Sequence, residues 1–240
     1  MGFGEFLGRI RRFAHHGGIE LRRFEPLRDD PELRIATLCG HLEVDLLVDV
    51  GASYGDWAGA IRRSGYAGDI LSFEPHPSVY ADLLARARND GRWAAKKLAL
   101  GSDSGEAKLK LTDGTVWSSL LPAADDGFQP TVAVGEVSVP VERLDAVLSG
   151  DRHERLFLKL DVQGFELETL RGAEKIVPRV VGGKAEVMLR ELYDGQPTLT
   201  EFLAALDRFG FLVVGFEHGF IEPNGRERFV DLLFARLSDA

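Results

Sequence analysis

The sequence predicts an α/β protein with a doubly wound, mostly parallel sheet that ends in an antiparallel last strand. Three observations carry that prediction. The run Leu46-Leu47-Val48-Asp49-Val50 leads straight into Gly51-Ala52-Ser53-Tyr54-Gly55, and an unbroken apolar run bounded by glycine reads as a strand buried on both faces. A second such run, Asp69-Ile70-Leu71-Ser72-Phe73-Glu74, also ends in an acid one βα unit later. Further strand and helix patterns then alternate toward the C-terminus, as right-handed βαβ crossovers with helices on both faces require.

Taken in order, residues 1–43 read as a helical extension ahead of a 44–240 domain. Phe3, Phe6, Leu7, Ile10 and Phe13 fall at helical spacing, with Arg9, Arg11 and Arg12 between them, until Gly17-Gly18 stops the pattern. A cap helix packing on the domain is the favoured expectation. A dimer contact, a lid and a membrane-surface helix are its alternatives. Strand 44–50 precedes a helix near 54–64, and strand 69–73 precedes a helix from Ser78 to Asn89 with Val79, Leu83 and Leu84 turned inward. Lys96 to Leu100 reads as the third strand. Residues 105–112 and 131–141 alternate apolar and polar, as exposed antiparallel strands do, across the loop Asp113 to Pro130. Leu156 to Asp161 is another buried strand ending in an acid. A helix over Glu166–Ile176, a strand over Lys184–Leu189, a helix over Thr200–Phe209 and a strand over Phe211–Phe216 follow. The turn Pro223-Asn224-Gly225 then sets up an antiparallel last strand over Phe229–Leu237.

The totals exclude several classes. A chain of 240 residues with 45% hydrophobic and 28% charged residues suits one globular α/β domain plus an extension. Its net charge of −9 leaves no overall basic footprint, so nucleic acid is not an expected partner. The single cysteine, Cys39, excludes an intrachain disulfide and a multi-cysteine zinc site, and reads as a small buried residue. No apolar run reaches the ~18 residues of a spanning helix. The N-terminal stretch lacks the continuous apolar core of a secretory signal, so a cytoplasmic location is expected. Oligomeric state stays open.

The loop after the first strand also speaks to the ligand. Its G-x-x-x-G spacing differs from the G-x-G-x-x-G that aims a helix N-terminus at a pyrophosphate. Asp49 would repel a phosphate but can pair with an ammonium; a helix N-cap is its plainer role. Glu74, at the end of the second strand, can accept both hydroxyls of a ribose. S-adenosylmethionine carries an ammonium and a sulfonium and no phosphate, so it suits this loop better than a nicotinamide dinucleotide.

Four segments, LLVDVGASYGDW, LSFEPHP, FLKLDVQGFELETLRGA and LRELYDGQP, together resemble the FkbM family of S-adenosylmethionine-dependent methyltransferases. The string K-x-D-V-x-G-x-E-x-x-x-L-x-G-A from Lys159 carries most of the likeness, which spans about Leu46 to Leu237. The resemblance implies a class I methyltransferase (Rossmann-like) fold and O-methylation of a hydroxyl on a sugar, glycan or natural product. It also implies that Asp49, Gly51, Ala52 and Gly55 hold the methionine part of the cofactor, that Phe73 and Glu74 hold the ribose, and that Ala99 and Leu100 line the adenine. Ser118 and Ser119 match a serine pair in the family's variable middle, where plain loop polarity is the other reading. Tyr193 and Gln196 match a loop suited to orienting a sugar.

Three residues stand out as catalytic candidates. Lys159 and Asp161 share a strand face and can pair. Asp161, at the strand mouth, can accept a hydroxyl proton as the methyl moves. Glu186 is the alternative base; a strand carboxylate needs a cationic partner such as Lys159 or an outlet to a cavity. Glu166 sits where a helix dipole favours an acid. Asp161 and Glu186 could also contribute to a divalent metal site, though nothing requires a metal. A catalytically inactive cofactor-binding partner or regulatory protein is the rival expectation.

Overall fold

The computed structural model describes residues 3–124 and 132–236. The chain opens with helix α1 (Phe3–His16), the single turn α2 (Pro26–Asp29) and α3 (Pro31–His41). It then alternates: β1 (Leu46–Val50), α4 (Asp56–Arg63), β2 (Asp69–Phe73), α5 (Pro77–Ala87) and β3 (Trp93–Lys96). A short β4 (Ala99–Leu100) leads to β5 (Gly105–Thr112) and β6 (Ala133–Glu142). One turn, α6 (Leu144–Val147), returns the chain to β7 (Leu156–Leu160), α7 (Glu166–Arg171), β8 (Val180–Met188) and α8 (Leu199–Arg208), and β9 (Leu212–His218) and β10 (Phe229–Ala235) complete it.

The main sheet has seven strands in the order β3-β2-β1-β7-β8-β10-β9. β3, β2, β1, β7 and β8 run parallel, while β10 inserts antiparallel between β8 and β9. This is the class I methyltransferase topology. The strand order reverses direction at β1, whose neighbours are β2 and β7, and open α/β sheets bind ligands at the carboxyl ends of strands flanking such a switch point. A second sheet, β4-β6-β5, stands beside the first. Its β5 and β6 form the expected antiparallel pair.

Both faces of the main sheet are covered, so its central strands are apolar without alternation. On one face Leu46, Val48, Leu158 and Leu160 pack with Leu170 of α7 and Phe202 and Ala205 of α8. On the other Leu47, Ile70 and Phe157 pack with Ile35 and Cys39 of α3, Ile61 of α4 and Leu83 of α5. Burial pushes the Cys39 thiol up to about 12, which keeps it protonated and inert.

Several expectations shift. The third strand is Trp93–Lys96, not Lys96–Leu100; Ala99 and Leu100 pair with β6 instead. Trp93 fixes this register by donating its indole N–H to the Ser72 hydroxyl at 2.9 Å. The expected helix Glu166–Ile176 ends at Arg171 and resumes as a 3₁₀ segment, Glu174–Arg179. A Cβ at Gly172 would lie 2.0 Å from the Gly101 carbonyl oxygen, so the chain must turn there to let β4 pass. Strand β8 starts at Val180, four residues before the expected Lys184. Parts of the expected loop 113–130 and of the strands at 131–141 and 229–237 fall at 125–131 and 237–240, outside the described residues.

The extension 1–43 divides. α3 belongs to the sheet's packing: Asp30 caps it by accepting the Leu33 amide, Pro31 opens it, and Ile35 and Cys39 are almost wholly buried. α1 does not pack as expected. Phe6, Ile10 and Phe13 are exposed, Phe13 to 84%, because α3 fills the place on the sheet that a cap helix would take. We therefore expect a chain beginning near Phe24 to keep its melting temperature within a few degrees. Ile35→Ala in the full chain should cost about 2–5 kcal/mol in urea unfolding; a smaller loss would detach α3 from the core.

Candidate active site

At the carboxyl ends of β1, β2 and β7 lies a cavity of about 280 Å³. Val50 and Gly51 come from β1 and its turn, Phe73 and Glu74 from β2, and Asp161 from β7. Leu98, Ala99 and Leu100 form an apolar wall, and Glu186 and Phe229 line the side nearest β8 and β10. Trp117 and Ser118, from the segment after β5, cover it.

Lys159 organises the floor. Its ammonium is buried, donates to the Gly51 carbonyl at 2.7 Å, and stands 3.2 Å from an Asp49 oxygen and 3.3 Å from an Asp161 oxygen. Burial alone would lower its pKa; the two carboxylates outweigh it, and the net shift is upward. Asp49 is fully buried and also accepts from the Ser72 hydroxyl at 3.0 Å. The ammonium that Asp49 pairs with here belongs to the chain, across the β1–β7 register.

The glycine turn acts in the same way. Gly51 has φ +73°, and a Cβ there would lie 1.8 Å from the Asp161 carbonyl oxygen. Its missing side chain lets β1 and β7 close against each other, besides admitting a ligand. Gly55 and Ala52 do not reach the cavity. A Cβ on Gly55 would meet Leu83 at 2.8 Å and the Trp93 ring, and Ala52 belongs to the core around α3 and α4. Both shape the turn from behind.

Glu74 is held ready. One carboxylate oxygen accepts from the Ser53 amide and the other from the His76 amide, both at 2.8 Å. Burial pushes its carboxyl above the ordinary range, against those two amides. Each oxygen keeps a further lone pair, and Glu74 lines the cavity. His76 caps α5 through its ring nitrogen, as the prolines around it suggest. Thr169 of α7 donates to the Leu100 carbonyl at 3.1 Å and so latches the apolar wall.

The opposite wall is acidic. Glu186 is not paired with Lys159; it accepts from the Gln163 side-chain amide at 2.8 Å, and the same nitrogen donates to Asp161 at 3.1 Å. Burial, then the charges of Asp161, Glu166 and Asp231, push the Glu186 carboxyl well above its usual range. Glu166 closes the Val162–Glu166 turn by accepting the Val162 and Gly164 amides, and burial raises it to about 7. Among the described residues no three His, Cys, Asp or Glu side chains stand grouped to hold a metal ion.

The proposed substrate residues split. Ser118 lines the cavity. Ser119 is buried and donates to the Gln163 carbonyl at 2.7 Å. Tyr193 is buried and donates to the Gln163 side-chain oxygen at 2.7 Å. Gln196 accepts the Leu192 and Tyr193 amides and donates to the Arg190 carbonyl, so it closes its own loop. Ser119 and Tyr193 thus support Gln163, and none of the three lines the cavity. Gln163 occupies a position that the Lys159 string leaves unspecified, so the sequence pattern does not mark it. A sign of it lies in the backbone: the described non-glycine residues with positive φ are Glu43, Ser53 and Gln163, and the last two line the cavity.

A family model described as the methyltransferase FkbM domain matches residues 49–213, a span holding every described cavity residue except Phe229. The chain belongs to the FkbM methyltransferase family. Its cofactor is S-adenosylmethionine. The chain is 26% identical over 170 residues to the hexuronic acid methyltransferase AglP of Haloferax volcanii, covering 70% of this chain and 66% of that protein. It is 32% identical over 162 residues to methyltransferase sdnD of Sordaria araneosa, covering 54% and 60%. It thus spans less than two thirds of either relative. Among solved structures, the magnesium protoporphyrin IX methyltransferase ChlM of Synechocystis PCC 6803 with bound SAM aligns with a TM-score of 0.49 and 9% identity, over 96% of this chain and 91% of that one. Among the described residues no helix is long and apolar enough to cross a membrane.

Removing the central ammonium tests this FkbM floor directly. Lys159→Met strands Asp49 as a lone buried charge and should cost about 3–5 kcal/mol in chemical denaturation. A stability within 1 kcal/mol of wild type, on the order of a surface pair, would show that the ion cluster does not hold the strand ends together.

Proposed function

We propose that this FkbM protein transfers the methyl group of S-adenosylmethionine to a hydroxyl of a saccharide or similar hydroxylated molecule, with Glu186 accepting the proton. One observation carries the reading: a single cavity at the sheet's switch point holds a pre-bonded carboxylate, Glu74, on one wall and a bridged carboxyl pair, Asp161 and Glu186, on the other. When bound, the cofactor supplies an electrophilic methyl on a sulfonium. Three carboxylates line the cavity, and none of its described lining residues is a lysine, arginine or histidine, which favours a cation. The name of the relative AglP supports a sugar as acceptor.

The remaining chemistry is alignment and proton removal. Asp161 is engaged on both oxygens, one by Lys159 and one by Gln163. That occupation disfavours it as the base and gives it an orienting role beside the reacting centre. Glu186 has one oxygen on Gln163 and a raised proton affinity, which suits a group that must take a proton near neutral pH.

Glu74→Ala should weaken S-adenosylmethionine binding about tenfold or more, since charge-assisted hydrogen bonds contribute about 1.5–3 kcal/mol each; an unchanged Kd by calorimetry would remove Glu74 from the ribose site. Glu186→Gln should keep cofactor binding while turnover falls roughly 10²–10⁴-fold, and Asp161→Asn should fall less. The reverse ranking would return the base role to Asp161. A base must be ionised to act, so wild-type kcat should climb with pH on the acid side through the raised Glu186 pKa, and Glu186→Gln should lose that limb. Cofactor binding with no methyl transfer to any hydroxylated acceptor would favour the inactive binding protein.

A further inference from the structure

The carboxyls of Asp161 and Glu186 meet at one side-chain nitrogen. Gln163 Nε2 lies 3.1 Å from an Asp161 oxygen and 2.8 Å from a Glu186 oxygen. Two carboxylate oxygens demand a donor between them, so the amide must present its NH₂ here and its oxygen elsewhere. The other end satisfies this: Tyr193 donates its hydroxyl to the Gln163 oxygen at 2.7 Å. Burial raises the Tyr193 pKa further, which keeps the phenol a donor. The backbone is held as well, since Ser119 donates to the Gln163 carbonyl and the residue sits at φ +53°. Next to it, a Cβ on Gly164 would crowd Tyr193, Gln196 and Leu121 at 3.1–3.2 Å.

We propose that Gln163 is a positioning residue for methyl transfer: its amide, locked by Tyr193, holds Asp161 and Glu186 apart as two separately bonded carboxyls and keeps Glu186 available as the proton acceptor. Without that NH₂, two like charges on one cavity wall reach their lowest energy by retaining a proton between them, and the base is occupied. Three carboxyl groups around Glu186 push its proton affinity upward. Asp161 comes from the end of β7, Glu166 from α7 and Asp231 from β10, and each disfavours a second negative charge. Asp231 is itself paired with Lys184 at 2.9 Å, and Asp161 with Lys159, so neither cation reaches Glu186 directly. The Gln163 hydrogen bond opposes the rise.

The inference rests on Glu186 being the base, so its test includes a readout that needs no acceptor. In ¹³C NMR of glutamate-labelled protein, with the Glu186 carboxyl assigned through Glu186→Gln, Gln163→Ala should raise the Glu186 pKa by about one pH unit. Turnover in the same variant should fall about tenfold at pH 7 and recover at higher pH, with the Kd for S-adenosylmethionine within threefold of wild type. Tyr193→Phe frees the amide to flip and should give a smaller shift of the same sign. The double variant should match Gln163→Ala alone, because Tyr193 acts through Gln163. A folded Gln163→Ala with an unmoved Glu186 pKa overturns the proposal, as does a pH profile identical to wild type or additive losses in the double variant. If Gln163→Ala does not fold, Tyr193→Phe carries the same pKa comparison. Wild-type protein that binds cofactor and methylates nothing would sink the proposed function alone, leaving the NMR comparison to decide on Gln163.

Discussion

The structure turns on one buried ammonium. Lys159 is buried near the carboxyl end of β7, a position that costs several kcal/mol unless the charge is met. Asp49, Asp161 and the Gly51 carbonyl meet it. These groups lie on the last turn of β1, the turn beyond it and the mouth of β7, so satisfying the charge also fixes where the two strands end. Asp49 passes the constraint on through Ser72 to β2 and through the Trp93 indole to β3. One polar chain thus links four adjacent strands. Gly51 completes it, since any side chain there would push the Asp161 carbonyl away from β1.

That arrangement leaves Asp161 with a double duty. It answers Lys159 below and faces the cavity above, where it is one of three carboxylates. Crowding acids on one wall is unfavourable in an empty site and favourable around a sulfonium, so the site's own repulsion is held in store for a cationic ligand. The chain manages the repulsion with donors that carry no charge. Two backbone amides serve Glu74, two serve Glu166, and one side-chain amide serves Asp161 and Glu186 together. Placing Lys159 on the far side of Asp161 keeps the structural cation out of the cavity.

How much of this the sequence disclosed depends on range. β1, β2 and β7 were legible because strands buried on both faces write continuous apolar runs, and Glu74 was legible because it ends one of them. The antiparallel β10 was legible from its turn. The third strand was misplaced because Trp93-Ala94-Ala95-Lys96 looks no more strand-like than Ala99-Leu100; a tertiary bond from Trp93 to Ser72 decides it. The pairing of Asp49 with Lys159 was not legible because a strand-end acid and a lysine 110 residues later look unrelated until β1 and β7 are set in register. Gln163 was invisible for the same reason. Its partners Asp161 and Ser119, Glu186 and Tyr193 come from four places in the chain, and only the positive φ at its backbone marks it locally.

Lys159 gathers the ends of β1 and β7 and stacks over Trp57 of α4, whereas the cover of the cavity follows β4 and the small sheet beyond it. β4 is latched to α7 at its Leu100 carbonyl and packed by Phe165 against Gly101, so its position is set from the main-sheet side. Trp117 and Ser118 reach the cavity from a segment bonded on one side to β5 and on the other to Tyr54, Gln163 and Tyr193, with Trp117 edge-on to Phe229 at 6.4 Å. Ser119, in the same segment, donates to the Gln163 carbonyl, so a change of length there would also bear on the Asp161–Gln163–Glu186 bridge. The cover is thus tied into the Asp161–Gln163–Glu186 wall through Ser119 and Tyr193, while Glu74 on the facing wall is held separately by the Ser53 and His76 amides.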